Sequence, residues 1–364
     1  MSAMSAESVD PLVVSGVSAI TAIGHDAAVS YASARAGLAR IVETREFQVR
    51  DARRKLTAVT CAAVDGVTDG QRRYARQYRM AVRAFAELID HARLDDAALE
   101  NASVHLGLHE PARPGMDDRL GTDLVPAMCE TLALENLSSR TTVDFAGHAV
   151  AFLALESAAR EIASGRCARA VLGAVDGYLD EVTLQWLADT GRLKGEGHGK
   201  GFVPGEAAAF LLVEPLSAAR ARGARCLARL TGIGSAMEAN SLYDETPCLG
   251  QGLTQAVGTA LRMSAADGPV TLVSCDLNGE RHRANEWALV LARSGVEHAS
   301  PDLWHPAACL GDCGAASGAL NLAFGALAVA RGDLVPGQAL AWGSSDDGER
   351  GAAVFAPVRS TAVQ

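Results

Sequence analysis

The sequence predicts an α/β fold built from two similar halves, and three observations carry that expectation. Short β-branched runs ending in glycine alternate with Ala-, Leu- and Arg-rich helical stretches: "PLVVSGVSAI" precedes "HDAAVSYASARAGL", and "ARAVLGAVDG" follows the apolar helix closed by Gly165. Such alternation stacks strands and helices in layers. The opening pattern returns, "PLVVSGVSA" (11–19) as "ARLTGIGSA" (228–236), each an apolar strand ending in Gly-apolar-small. So does a longer unit, "ALESAAREIASGRCARAVLGAVDG" (154–177) as "NLAFGALAVARGDLVPGQALAWGSSD" (321–346): a buried helix, a glycine stop, a connection and an apolar strand. Two unequal halves, 1–220 and 221–364, related by a pseudo-twofold axis and forming one compact unit, are the expectation.

Along the chain, the strand at 11–19 and the helix after His25 open the first half, and the charged segment Thr44 to Leu56 reads as surface loop. "QRRYARQYRMAVRAFAELIDHA" (71–92) reads as a helix with Arg72, Arg76, Arg79 and Arg83 on one stripe and Tyr78, Val82, Phe85 and Ile89 on another. "TTVDFAGHAVAFLALESAAREIASG" (141–165) is a β-branched run that turns through Ala-Gly-His into a long apolar helix. Backbone N–H groups at such a junction can stabilise developing negative charge, yet a histidine stands there with no Ser or Cys beside it. "GRLKGEGHGKG" (191–201) reads as a second surface loop.

Composition narrows the function. A chain of 364 residues, 49% hydrophobic and 21% charged, can bury one large core or two medium ones. A net charge of −10 argues against nucleic acid as a partner, because phosphate binding needs a basic surface. The eight cysteines occur singly among small or apolar residues and read as reduced thiols; Cys309 and Cys313 have only His305 as a nearby partner of ligand type, so neither metal nor cofactor is expected. The start lacks a basic region followed by an apolar one, and no apolar run reaches ~18 residues, so a cytoplasmic protein without a membrane span is expected.

Two stretches carry a family resemblance. "GFVPGEAAAFLLVEPLSAARARGAR" (201–225) resembles the segment of β-ketoacyl synthases in which a Gly-Phe-Val turn and an acidic residue precede a buried strand and a helix. "VVSGVSAITAIGHDAAVSYASARAGLARI" resembles that family's opening strand and helix. The resemblance runs from about Pro11 to Pro357 and implies the thiolase-like fold: two βαβαβαββ halves in an α-β-α-β-α layered core, usually as a homodimer. It also implies a cysteine nucleophile at the start of a buried helix and two histidines that stabilise a thioester oxyanion. Counting back from Gly165 puts the nucleophile position at His148, or at Gly147 if the turn is shifted by one. The first histidine position falls on Asp276 and the second near Gly311, while "GSSDDGERGAAVF" (343–355) brings Asp346 and Asp347 where the family places a phenylalanine gate. A replaced nucleophile removes the covalent step, so ordinary decarboxylative condensation is not expected.

Two roles for His148 stay open. At a helix N-terminus it is expected to be neutral, so that, oriented by Asp276, it can activate water or the Cys313 thiol for acyl-thioester transfer or hydrolysis. Alternatively it fills a lost tunnel and bonds to backbone. "SCDLNGERHRANEW" (274–287) is either a catalytic strand end or a partner-binding loop. The arginine stripe is either a solvated face or a dock for an acidic partner, such as an acyl carrier protein or an acidic protein segment. "TTVDF" resembles the strand with which the family pairs across its dimer axis, implying a homodimer or a heterodimer with a ketosynthase-like subunit. The leading reading is a catalytically degenerate ketosynthase-like scaffold, adaptor or partner subunit. Resemblance links it to type VI secretion effector loading or to a polyketide- or fatty-acid-type synthase.

Overall fold

The computed structural model describes residues 10–51, 54–134, 136–195, 200–296, 300–334 and 336–358. Residues 1–9, on which the expectation of a start without a leader rests, and 196–199 of the glycine-rich stretch lie outside them. The strands are β1 (Leu12–Thr21), β2 (Val42–Arg50), β3 (Leu56–Cys61), β4 (Ala102–Leu108), β5 (Thr141–Phe145) and β6 (Arg169–Gly177). They continue as β7 (Glu206–Pro215), β8 (Ala228–Met237), β9 (Val270–Cys275), β10 (Asp302–Trp304), β11 (Gln338–Ser344) and β12 (Glu349–Ala356). Ten of them hydrogen-bond in the order β10-β9-β11-β12-β8-β1-β7-β6-β4-β5.

Read outward from the β8–β1 seam, the two sides of this order match. Each runs antiparallel, antiparallel, parallel, parallel: β1 to β7, β6, β4 and β5 on one side, β8 to β12, β11, β9 and β10 on the other. The seam itself is short, with Val13 opposite Arg229 and Val14 opposite Ala228. The helices Val150–Ala163 and Ala315–Arg331 both pack against strands of the two sides, so they form a middle layer. Tyr74–Ala92 covers β1 and β7 from outside, and Gln251–Ser264 covers β8 and β12. These are the five layers of the thiolase-like fold.

The sequence explains the layering. Strand β7 reads "EAAAFLLVEP" and is buried along nearly its whole length, a continuous apolar run rather than an alternating one, because helices cover both faces. The Ala315–Arg331 helix is apolar all round, and from Ala315 to Val329 only Ser317 is not buried. Burying a side chain such as Leu320 or Phe324 contributes roughly 1.5–3 kcal/mol each. Asn321, the polar residue in mid-helix, accepts a hydrogen bond from the Ser274 hydroxyl at 2.9 Å. Gly318 lets the helix approach the backbone of the opposite one: a Cβ there would run into the His148 carbonyl.

One expectation fails here. The segment Thr44 to Leu56 is largely a hairpin, β2 paired antiparallel with β3 across an irregularity between Thr44 and Gln48. Phe47 and Val49 alternate into a core shared with Tyr178, Leu184 and Phe202. Glu46 and Arg50, two of the charges that suggested a loop, line the exposed side of the same alternation. Among the described residues no helix is long and apolar enough to cross a membrane.

Candidate functional site

The two middle helices begin at facing turns. Strand β5 leads through Ala146 into a single 3₁₀ turn, Gly147–Ala149, and then the Val150–Ala163 helix. Gly147 has φ +48°, and a Cβ there would overlap the Glu110 carboxylate, so any other residue here is strained and must displace Glu110. The turn delivers His148 to full burial. The second helix is entered through Gly311, Asp312, Cys313 and Gly314, with both glycines at positive φ. Across the gap, His148 Nε2 donates to Asp312 Oδ1 at 2.8 Å, and Nδ1 donates a longer bond to Glu110 Oε1 at 3.4 Å. Asp312 also accepts from Asn278 Nδ2 at 2.6 Å and from the Gly314 N–H at 2.8 Å.

Arg283 anchors the next shell of charge. On the Arg281–Ser294 helix and 1% exposed, it donates through Nη1 to Asp276 Oδ2 at 2.8 Å and to the Ser344 carbonyl at 2.5 Å, and through Nη2 to Asp346 Oδ1 at 2.9 Å. The other Asp346 oxygen accepts from Arg192 Nη1 at 2.8 Å, and Arg192 Nε and Nη2 bind Glu280 at 2.7 and 2.9 Å. Six buried carboxylates (Glu110, Asp176, Asp276, Glu280, Asp312 and Asp346) thus face three guanidinium groups, Arg113, Arg192 and Arg283. A further cation is favoured there, and His148 supplies it. Burial and the Arg283 charge oppose its protonation, but Asp312, by charge and hydrogen bond, and Glu110 outweigh them and push it up to about 10. Burial works against the charged form of Asp312 as well, yet His148, Arg283 and Asn278 hold it far below the usual carboxylate range. Asp276 goes the other way, raised by burial despite Arg283.

Several sequence expectations change at this point. The carboxylates of Asp312 and Glu110 outweigh both burial and the neighbouring cation and favour the imidazolium of His148 over the neutral ring that a helix start suggests. Asp276 makes no hydrogen bond to it; among the described residues Arg283 stands between the two, with Nη1 on Asp276 and Nη2 3.3 Å from His148 Nδ1. This is an approach of two cations, held by the surrounding carboxylates. Nor does His148 bond to backbone through its ring, as the space-filling alternative supposed; its partners are side chains. Cys313 is buried with its Sγ directed at the Leu310 and Gly311 carbonyls, 3.6 and 3.7 Å away, and burial pushes its thiol well up. Gly311 shapes the turn, while its neighbour Asp312 provides the side chain. Asp346 is buried in the network, whereas Asp347 is only partly covered. On the Tyr74–Ala92 helix the stripe is broken: Arg76 is buried, binding Glu206 through Nε and Nη2, each at 2.8 Å. Arg72, Arg79 and Arg83 are exposed, with Arg72 paired to Glu181.

Sequence reasoning missed Glu110, Asp312 and the central role of Arg283. Glu110 ends strand β4's extension in "HLGLHEPARPG" and carries no local signal. Asp312 was one residue from the position singled out.

A mixed sheet with matching halves, a doubled middle layer and facing helix starts at its centre defines the thiolase-like fold. Among proteins of that fold, the chain is similar to ketosynthases. No family profile matches the sequence, and no curated protein does. Solved structures match closely in shape. A type II polyketide synthase acyl carrier protein in complex with its ketosynthase superposes with a TM-score of 0.79 at 16% identity, over 96% of this chain and all of that one. An oxazolomycin ketosynthase domain from Streptomyces albus gives 0.76 at 16% identity, over 98% of this chain and 76% of that one. The ishigamide ketosynthase/chain length factor gives 0.71 at 22% identity, over 96% of this chain and all of that one. The chain therefore has the ketosynthase fold.

Proposed function

We propose that this protein is a ketosynthase-like partner subunit or scaffold that does not itself perform thioester condensation. The observation that carries the reading is the His148–Asp312 contact of 2.8 Å at zero exposure of the His148 ring. A general base must be unprotonated at working pH, and a nucleophile must reach a substrate carbon. His148 meets neither requirement, and Cys313 is turned away. Transfer or hydrolysis through His148 and Asp276 would need Arg283 removed from between them. The partner role draws support from the similar structures, which include a ketosynthase with its carrier protein and a ketosynthase/chain length factor. Strand β5 ends the sheet order, with Phe145 37% exposed, and pairing this edge with a second chain would cover it. The chain-length-factor likeness favours a synthase partner over an adaptor for a secretion effector.

The test is incubation with acyl-CoA and acyl-carrier thioesters, followed by intact mass and thiol release, with His148→Ala alongside. No adduct and no release are expected. Turnover that disappears in His148→Ala would overturn the reading. Sedimentation is expected to give a dimer, or a heterodimer when an active ketosynthase subunit is added; a monomer at all concentrations would contradict the partner role.

A further inference from the structure

Past the end of β8 the chain loops to the Gln251–Ser264 helix, and this loop brings together a second group of buried donors. Cys248 Sγ and carboxylate oxygens of Glu238 and Glu286 all lie within 4.8 Å of one another. Glu238 and Glu286 are 4% and 2% exposed, and Cys248 is half-buried. Each ligand atom set is aimed by a separate hydrogen bond. The Gly250 N–H donates to Cys248 Sγ at 3.4 Å, the Gly252 N–H to Glu238 Oε2 at 2.7 Å, and Arg350 Nε to Glu286 Oε1 at 2.6 Å. That is the kind of support that orients metal ligands, and it engages only one oxygen of each carboxylate.

Charge and space point the same way. The two buried carboxylates have one guanidinium bonded to them, Arg350 on Glu286, and burying an uncompensated carboxylate is costly. Adjoining them is a cavity of about 150 Å³ lined by Cys248, Glu286, Arg350 and Ser344, and also by Arg283, whose charge is already taken up by Asp276 and Asp346. Ser344 is 2% exposed and its hydroxyl has no hydrogen-bond partner among the described residues. A thiolate with two carboxylates suits Zn²⁺; Mg²⁺ and Ca²⁺ prefer oxygen alone, and Cu⁺ prefers sulfur.

We propose that Glu238, Cys248 and Glu286 bind one Zn²⁺, with the fourth position open to the cavity lined by Ser344. Binding forms a Zn–S bond and displaces the Cys248 thiol proton to solvent. The ion's two positive charges and Arg350 then balance the thiolate and two carboxylates. The ligands are spread from 238 to 286 without a metal-motif spacing, which is why the sequence reading expected no metal. The site is independent of the His148 reading.

The test uses the full chain, reduced and stripped of metal with a chelator, then titrated with Co²⁺ and Zn²⁺. One equivalent of Co²⁺ is expected to give thiolate-to-cobalt absorption in the near ultraviolet and the intense visible bands of a four-coordinate site, both displaced by Zn²⁺. Zn²⁺ should slow alkylation of Cys248 in the wild-type chain more than ~10-fold while leaving Cys226 unchanged. Cys248→Ser should lose the charge-transfer band, and Glu238→Gln should weaken Co²⁺ binding by ~10-fold or more. Absence of stoichiometric binding, a band that survives Cys248→Ser, or Cys248 alkylation indifferent to Zn²⁺ would each overturn the proposal. The alkylation arm needs no variant, so a substitution that fails to fold does not blunt the test.

Discussion

The bodies and the starts of the two middle helices share one layer but are held by different forces. The bodies are buried through Ala, Leu and Phe side chains, and Phe324 is also set edge-on against Tyr31 of the Ala27–Arg35 helix at 5.8 Å. The starts meet through His148 and Asp312, backed by Glu110 and Arg283. Packing tolerates changes of shape as long as volume is kept, whereas a buried charge must keep its partner. The bodies therefore set the fold, and the starts set what the centre of the fold can do chemically.

Substitutions can separate the two. Arg283→Met leaves Asp276 buried without a cation and Asp346 with Arg192 alone, and is expected to cost about 3–5 kcal/mol in urea unfolding; a loss below about 1 kcal/mol would show that the charges do not hold the junction. Phe324→Ala removes a comparable ~3–5 kcal/mol by opening a cavity. The two should differ in pH response, with the Phe324 variant keeping the parent's profile and the Arg283 variant changing it. Next in size is Gly147→Ala, which places a side chain at φ +48° against Glu110 and should cost about 1–3 kcal/mol.

The pH profile sharpens the comparison further. His148 is held at about 10 in the fold against an ordinary ~6.5, so its contribution is complete below about pH 6.5 and is lost as pH rises toward 10. Asp312 is depressed, so its contribution is present above about pH 4 and is lost as pH falls through its folded value. Stability from this pair should peak between those limits and decline on the alkaline side, and His148→Gln should flatten the alkaline slope. The smallest effect is at the surface: Arg79→Glu with Arg83→Glu should change stability by no more than about 0.5 kcal/mol each. The same pair should abolish salt-sensitive binding of an acidic carrier protein; unchanged binding would remove that helix as a dock.

The same division decides what was legible in the sequence. The helix bodies and strands announce themselves by local pattern, as in "NLAFGALAVA" and "AAAFLLVE", and the repeated units foreshadow the matching strand orders. The site was legible only where a local motif marked it. The "AGHA" turn drew attention to His148, but its true partner lies 164 residues on, and Arg283 is 135 residues away. Pairings at such separations leave no periodicity, so a short-range rule about helix N-termini suggested a neutral ring. Arg76 shows the same limit: its helical stripe placed it among exposed arginines, and a partner on β7, Glu206, drew it inside.

The most direct test of the central claim is the protonation state of the His148 ring, read from ¹⁵N NMR of histidine-labelled protein at pH 8. Both ring nitrogens are expected to carry protons, with resonances that vanish in His148→Gln and do not titrate until the alkaline range. A neutral His148 at that pH, with one unprotonated nitrogen, would contradict the account and return the residue to candidacy as a base.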